Sequence, residues 1–355
     1  MHPMRQKMSE IRYGVIGMQW AGKTHAKAAS QVEGVRIAAV CDVNEQAAKA
    51  VAAEYPGAKV FLSYEEMLTS GEVDAVSVCT PHWLHCPMVV AAAKAKKHVL
   101  VEKPISITVK EADTMVKAAK KAGAKLAVSH QYRLNKTWWT AKQLLPEIGD
   151  IYRAVLVVST PRTQEYYGTA AWRGTWAQEG GGVLINQTVH HLDYMRWCLP
   201  PITELSAFAN TLTHKIEVED VVAASASLAN GGVFSIQLST VDFPGGAFVE
   251  FAGSKGTLRI ADRLRLAKAP ENKWQDIEPQ TAPLGEGHGG ILKDFITAIR
   301  ENREPFVTGE QGTAALEIVN AVILSHVTRK RVKFPISRAG YERVYAKLRE
   351  AKKLL

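Results

Sequence analysis

A lysine, a histidine and an aspartate, each set beside a glycine- or proline-marked turn, carry the chemistry legible in this sequence. Lys103 follows a short apolar run, His98-Val99-Leu100-Val101, and stands in Glu102-Lys103-Pro104. A run this short, with helical patterns on both sides, reads as a parallel strand buried on both faces. The charged pair then sits at the strand's carboxyl end, where open α/β sheets place their ligands. Pro104 lacks an amide hydrogen and ends the ladder. An ammonium held there can stabilise negative charge developing on an oxygen. His190 lies beyond Gly180-Gly181-Gly182, on a helix expected over Asn186 to Cys198. Asn186, His190 and Asp193 fall at i, i+4 and i+7 and share one face. Histidine is the side chain suited to take a hydroxyl proton near neutral pH. The competing reading of His190 is a satisfied core histidine. His191 points about 100° away and reads as structural. A zinc site on His190, His191 and Asp193 needs a further ligand that the sequence does not offer. His82 and His85 likewise have no partner cluster, so no metal is expected.

The aspartate belongs to a second constellation. Gly17-Met18-Gln19-Trp20-Ala21-Gly22 is a GxGxxG fingerprint whose middle glycine is glutamine. The first glycine makes a tight turn, the last lets helix and strand pack, and the helix N-terminus faces a pyrophosphate. Asp42 closes the next strand, Val35 to Cys41, twenty residues beyond Gly22. A carboxylate there binds a ribose 2′-hydroxyl and repels a 2′-phosphate, so NAD is favoured over NADP. Gly17, Met18, Gln19, Trp20 and Asp42 are therefore candidate cofactor residues. Thr80 and Pro81 end another strand, with His85 packing near the cofactor. Glu102, Lys103 and Gln131 extend the same set.

The elements that must position these residues alternate regularly. Strands are expected at Ile11 to Gly17, Val35 to Cys41, Val60 to Phe61, Val73 to Thr80, His98 to Val101 and Leu126 to Ser129. Helices are expected between them, at Trp20 to Val32, Ala47 to Tyr55, Tyr64 to Thr69, His85 to Lys96 and Val109 to Ala122. This alternation describes a doubly wound parallel sheet over residues 1–131. The rhythm then changes. A helix at Lys136 to Leu145 and a strand at Ile151 to Ser159 precede a long irregular stretch, Thr160 to Gly182. That stretch carries Tyr166, Tyr167, Trp172, Arg173 and Trp176, which either wall a site or pack as core or interface. Period-2 alternation at Asp220 to Leu228, Val233 to Thr240, Phe248 to Ala252 and Thr257 to Ile260 describes a largely antiparallel sheet. Its second face is mild rather than charged, as in a subunit interface. Helices at Gly289 to Arg300 and Gly312 to Thr328 complete residues 132–355, the last returning to the first half.

Composition narrows the functional classes. The chain has 355 residues and a formal net charge of +9. Much of the excess lies near the C-terminus, at Arg338, Arg343, Lys347, Arg349, Lys352 and Lys353. No nucleic-acid-binding signature accompanies it, so a solvated surface or an anionic ligand is expected. No apolar run reaches the length of a membrane span. Met1 to Met8 is basic with no apolar region behind it, which is no signal peptide. The four cysteines form no CxxC pair, and a reducing cytoplasm fits them.

Taken together, the sequence resembles the Gfo/Idh/MocA oxidoreductases across nearly its whole length. The resemblance rests on the fingerprint, Thr80-Pro81 with His85, Glu102-Lys103-Pro104 and GGGVLINQTVHHLD from Gly180 to Asp193. It continues in EVED from Glu217 to Asp220 and FAGSKGTL from Phe251 to Leu258. It implies a Rossmann domain plus an α/β domain with an open mixed sheet, a dinucleotide held between them, and homodimers or homotetramers built on those sheets. It also implies that Lys103 and His190 are catalytic, with Tyr132, Trp172, Arg173 and Asn186 at the substrate. Asn186 stands where the family usually has aspartate, and it cannot bear charge. The expected reaction is oxidation of a secondary alcohol of a sugar, inositol or related polyol. His190 takes the hydroxyl proton, Lys103 steadies the oxygen, and hydride passes to the nicotinamide. The alternatives are an NAD-dependent glycosidase working by transient oxidation, elimination and water addition, and a non-catalytic dinucleotide sensor.

Overall fold

The computed structural model describes residues 10–355; Met1 to Met8, read as a tail, lie outside them. Six parallel strands form the first sheet: β1 (Ile11–Ile16), β2 (Val35–Cys41), β3 (Lys59–Phe61), β4 (Ala75–Val78), β5 (His98–Val101) and β6 (Leu126–Val128). Their order is β3-β2-β1-β4-β5-β6, reversing beside β1. Ile16 pairs with Val78, Val78 with Val101, and Val101 with Val128. The carboxyl ends are therefore level. Gly17, Cys79, Glu102 and Ser129 emerge along one edge, at the switch point where such sheets bind ligands. Valines and leucines of β4 and β5 are buried because helices cover both faces.

The second sheet has nine strands, β7 (Ile151–Ser159), β8 (Ile202–Asn210), β9 (Val221–Leu228), β10 (Val233–Ser239), β11 (Gly246–Gly253), β12 (Gly256–Ile260), β13 (Leu264–Lys268), β14 (Trp274–Asp276) and β15 (Val332–Lys333). Only the β7–β10 pair is parallel; the other pairs are antiparallel. Phe234, Ile236 and Leu238 of β10 face the core, as the alternation requires. The helix Gly309–Thr328 opens with a reciprocal Thr308–Gln311 capping box. It packs on the helix Val109–Ala122 and on β8, so it touches both halves of the chain.

Two local expectations fail for identifiable reasons. Asn186 is not on the helix. The α-helix is Val189–Cys198, and Val183–Gln187 forms a π-helical turn before it. Buried Glu219 accepts the amide hydrogens of Gly182 and Leu184, which pulls the turn wide. A Cβ on Gly182 would lie 2.0 Å from the Glu219 carbonyl oxygen, so the close approach needs glycine. Asp193, in turn, does not share a site with His190. Its carboxylate is taken by Arg133, at 2.7 Å from Nε and 2.6 Å from Nη2. Arg133 also donates to Gln311 Oε1 at 2.9 Å, tying the turn after β6 to two helices.

This buried fork fixes the helix that carries His190. Removing one partner strands the other charge, at a cost of roughly 3–5 kcal/mol. Urea unfolding of Arg133→Ala should show a loss of that size. A loss below about 1 kcal/mol would contradict the placement.

Candidate active site

A cleft of about 760 Å³ runs along the carboxyl edge of the first sheet, from Asp42 past Gly17 to Lys103. Gly17 has φ +92°, and a Cβ there would sit 2.7 Å from the Cys79 carbonyl oxygen. Only glycine makes this turn. A Cβ on Gly22 would lie 1.7 Å from the Gly17 oxygen, so the helix Trp20–Ser30 can seat against the turn only there. Gln19 caps that helix with φ −77° and no side-chain cap bond. Its backbone is one that any residue adopts, so the missing middle glycine costs the turn nothing. The helix N-terminus is left to an incoming anion. Asp42 accepts from the Met18 amide at 2.6 Å and from the Asn44 amide at 2.8 Å. A carboxylate so held keeps lone pairs for a ribose hydroxyl. Met18 takes part through its backbone, since its side chain is buried. Val43 and Leu62, which sequence reasoning did not single out, are exposed apolar side chains on the cleft beyond Asp42. They offer a surface for a flat base. These features fit a dinucleotide.

At the other end of the cleft, Glu102 is buried and doubly bracketed. Its Oε1 lies 2.8 Å from His25 Nε2 and 3.4 Å from His288 Nε2. Burial alone would raise its pKa, but the two histidines hold it well below the ordinary carboxylate value. His25 continues inward to Ser77 Oγ at 2.8 Å, and Ser77 to the Tyr13 hydroxyl at 2.7 Å. Among the described residues, His25, Glu102 and His288 are the one trio whose ligand atoms could reach a shared cation. The 2.8 Å contact is that of a hydrogen-bonded pair.

Lys103 Nζ donates to the Asn186 carbonyl oxygen at 2.9 Å and lies 3.4 Å from Asn186 Oδ1. Burial lowers its pKa below the ordinary 10.5; Glu102 and Glu179 oppose that, while Arg173 and Arg162 add to it. His190 stacks on Tyr132, ring centroids 4.5 Å apart and planes 10° apart, with His130 edge-on at 5.6 Å. Burial, then Lys103 and His130, push His190 well below its ordinary pKa. It is neutral at pH 7, the form that accepts a proton. His191 packs edge-on against Tyr132 and Trp138, away from the lysine.

Other sequence-derived candidates are placed more variously. Thr80 and Pro81 line the cleft. His85 does not: it is fully buried, its ring nitrogens 2.8 Å from the Pro104 and Thr80 carbonyl oxygens. It braces the two loops that carry Thr80 and Lys103. Gln131 lies in the short turn Gln131–Leu134 after β6 and does not line the cleft. Trp172 and Arg173 line the same cleft as Gly17 and Asp42, and Arg173 also borders a second pocket with Gln164, Tyr167 and Ile216. Arg173 lies over the rings of Tyr166 and Trp172 at 4.4 and 4.6 Å.

Known proteins share this fold. Residues 11–130 match a family profile described as an oxidoreductase family with an NAD-binding Rossmann fold. Residues 138–259 match the GFO/IDH/MocA C-terminal domain. The chain belongs to the Gfo/Idh/MocA oxidoreductases. Within this family, the D-glucoside 3-dehydrogenase of Escherichia coli is 30% identical, covering 83% of this chain and 96% of that one. The myo-inositol 2-dehydrogenase of Thermotoga maritima is 26% identical, covering 91% of this chain and 98% of that one. Among solved structures, the WlbA dehydrogenase of Bordetella pertussis, in complex with NADH and UDP-GlcNAcA, superposes with a TM-score of 0.82. It is 30% identical and covers 92% of this chain and 100% of that chain. The first half of this Gfo/Idh/MocA protein is an NAD-binding Rossmann domain, and the protein is an oxidoreductase.

Several buried histidines surround Lys103 and Tyr132. Burial lowers the pKa of His82, His85, His130, His190 and His191, with His130 and His191 brought to about 4. A histidine depressed in the folded state contributes stability above its unfolded pKa of 6.5, and loses it as pH falls. The buried carboxyls Glu179 and Glu219, raised to about 7 by burial, act in the opposite sense. Two carboxyls against five histidines leave a net loss on acidification. His130 and His191 alone should cost roughly 2 kcal/mol each by pH 5. The urea midpoint should therefore fall markedly between pH 7.5 and pH 5; an unchanged midpoint would contradict the assigned neutral histidines.

Proposed function

We propose that this protein oxidises a secondary alcohol of a sugar, inositol or related polyol, with NAD as hydride acceptor. The observation that carries the reading is Lys103. Its ammonium is half-buried at the carboxyl edge of the Rossmann sheet, anchored on Asn186 at 2.9 Å, in a cleft that also holds Gly17 and Asp42. Bound nicotinamide supplies a hydride acceptor at C4. Lys103 donates to the substrate oxygen and stabilises alkoxide charge as it develops. Neutral His190 takes the hydroxyl proton. The carbon-bound hydrogen leaves with its electron pair, and the alcohol becomes a ketone. Asn186 contacts Lys103 and Tyr132 stacks on His190, which supports a place for both beside the substrate. The relatives' names, a glucoside dehydrogenase and an inositol dehydrogenase, support this substrate class. Asp42 disfavours a 2′-phosphate, which supports NAD over NADP.

The outer face of the second sheet is uncovered, with an Arg153–Glu250–Arg259 ion-pair ladder along part of it. Phe208 and Val233 are exposed on it, beside Ala223, Ser225 and Gln237. This supports a homodimer or homotetramer paired through the sheets. Four unpaired cysteines, Cys41, Cys79, Cys86 and Cys198, support a cytoplasmic setting. No helix among the described residues is long and apolar enough to cross a membrane.

The test is absorbance at 340 nm with NAD and a panel of sugars, inositols and aryl glycosides. NADH should accumulate steadily with one polyol. Release of the aryl alcohol with no net NADH would instead make the protein a glycosidase. With the polyol so found, Lys103→Ala should lower kcat at least about a hundredfold, the size expected for a preorganised donor. Its melting temperature should change little. Turnover near that of the wild type would remove Lys103 from the mechanism.

A further inference from the structure

Glu179 immediately precedes the three glycines and has no role in the mechanism above. It is buried, 1% exposed, and among the described residues no cation lies within ion-pair distance of it. A carboxyl buried without an ionic partner is costly unless its hydrogen bonds do something specific. One oxygen accepts from the Gly174 amide and the other from Asn186 Nδ2. The second contact decides how the Asn186 amide is turned. With Nδ2 committed to Glu179, and also 3.4 Å from the Tyr166 hydroxyl, Oδ1 points to Lys103 Nζ. An acceptor is the only group that an ammonium can use there.

We propose that Glu179 is a positioning residue for Lys103: it turns the Asn186 side-chain oxygen Oδ1 toward the ammonium and sets a carboxylate behind it, so that Lys103 is held aimed and protonated. The proposal rests on the mechanistic role given to Lys103. Asn186 carries no charge of its own, and Glu179 supplies through it what the asparagine lacks.

The electrostatics agree in sign. Lys103 and Arg173 favour the ionised form of Glu179, against burial, which raises its pKa to about 7. His82 Nδ1 donates to the Glu179 backbone oxygen at 2.8 Å, and Tyr167 and Glu219 lie within the field of Glu179. Glu102 and Glu179 oppose the fall that burial imposes on the Lys103 pKa. The carboxylate therefore raises the lysine pKa, and its removal lowers it. A glutamine at 179 keeps the size but loses the charge, and it can present an N–H to Asn186 in place of the acceptor.

Lys103 can be titrated without turnover. The full chain is labelled with trace acetic anhydride across a pH series, and acetylation at Lys103 is read by mass spectrometry. The wild type, Glu179→Gln and the double variant Glu179→Gln with Asn186→Asp are compared, each with its melting temperature. The labelling midpoint of Glu179→Gln should fall by at least about one pH unit. Asn186→Asp should return most of that shift, because it restores a carboxylate beside the ammonium. If Glu179 only supports the loop, Glu179→Gln will melt earlier while its Lys103 midpoint coincides with that of the wild type, and the proposal falls. A shift without rescue by Asn186→Asp would also overturn it, since charge would not be the cause. The labelling result stands apart from turnover. A chain that oxidises no polyol in the panel loses the dehydrogenase reading, while the midpoint still decides what Glu179 does to Lys103.

Discussion

The hydrogen bond from Lys103 Nζ to the Asn186 carbonyl oxygen joins the two halves of the site. One partner leaves β5 of a parallel sheet. The other belongs to a π-helical turn that a buried carboxylate, Glu219, holds open. Each side is constrained by its own fold. The level carboxyl ends of β1, β4, β5 and β6 put Lys103 at the edge where a dinucleotide lies. The triple glycine and the Arg133–Asp193 fork put Asn186 and His190 opposite it. The chemistry needs both, because proton and hydride must leave the same carbon–oxygen unit.

Charge in the site is arranged by burial. Desolvation makes the lysine easier to deprotonate and keeps the histidine neutral. Glu102 resists the same pressure because His25 and His288 face it. A row of polar groups, Tyr13, Ser77, His25 and Glu102, thus crosses the core of the Rossmann half to the cleft. Fully satisfied rows of this kind hold one geometry, and here they fix the residue next to Lys103.

How far the sequence was legible depended on how local the signal was. β5, β2, β7 and the helices Tyr64–Thr69 and Val109–Ala122 fall where hydrophobic period and caps place them. β8 escaped because a register shift between Ile202 and Glu204 breaks its alternation. β14 is exposed throughout, and β15 has two residues, so neither leaves a pattern. The helix Arg338–Ala351 was readable: Tyr341, Val344, Tyr345 and Leu348 follow helical spacing and are buried. Its basic residues drew attention to charge instead. Lys103, Asp42 and Gly17 were legible because strand ends and turns are local features. The true partners of Asp193 and His85 were not, because Arg133 and the Pro104 carbonyl are distant in the chain. Glu179 and the His25–Glu102–His288 set carry no spacing signature at all. Only the fold assembles them.

In the proposed mechanism a protonated Lys103 steadies the reacting oxygen. Its most direct test is the alkaline limb of kcat for alcohol oxidation, compared between the wild type and Lys103→Arg. The wild-type limb should have an apparent pKa below the ordinary lysine value of 10.5, and the arginine variant should lose that limb, its residual rate staying level with pH. The same limb in both proteins would show that another group titrates, and would contradict the role given to Lys103.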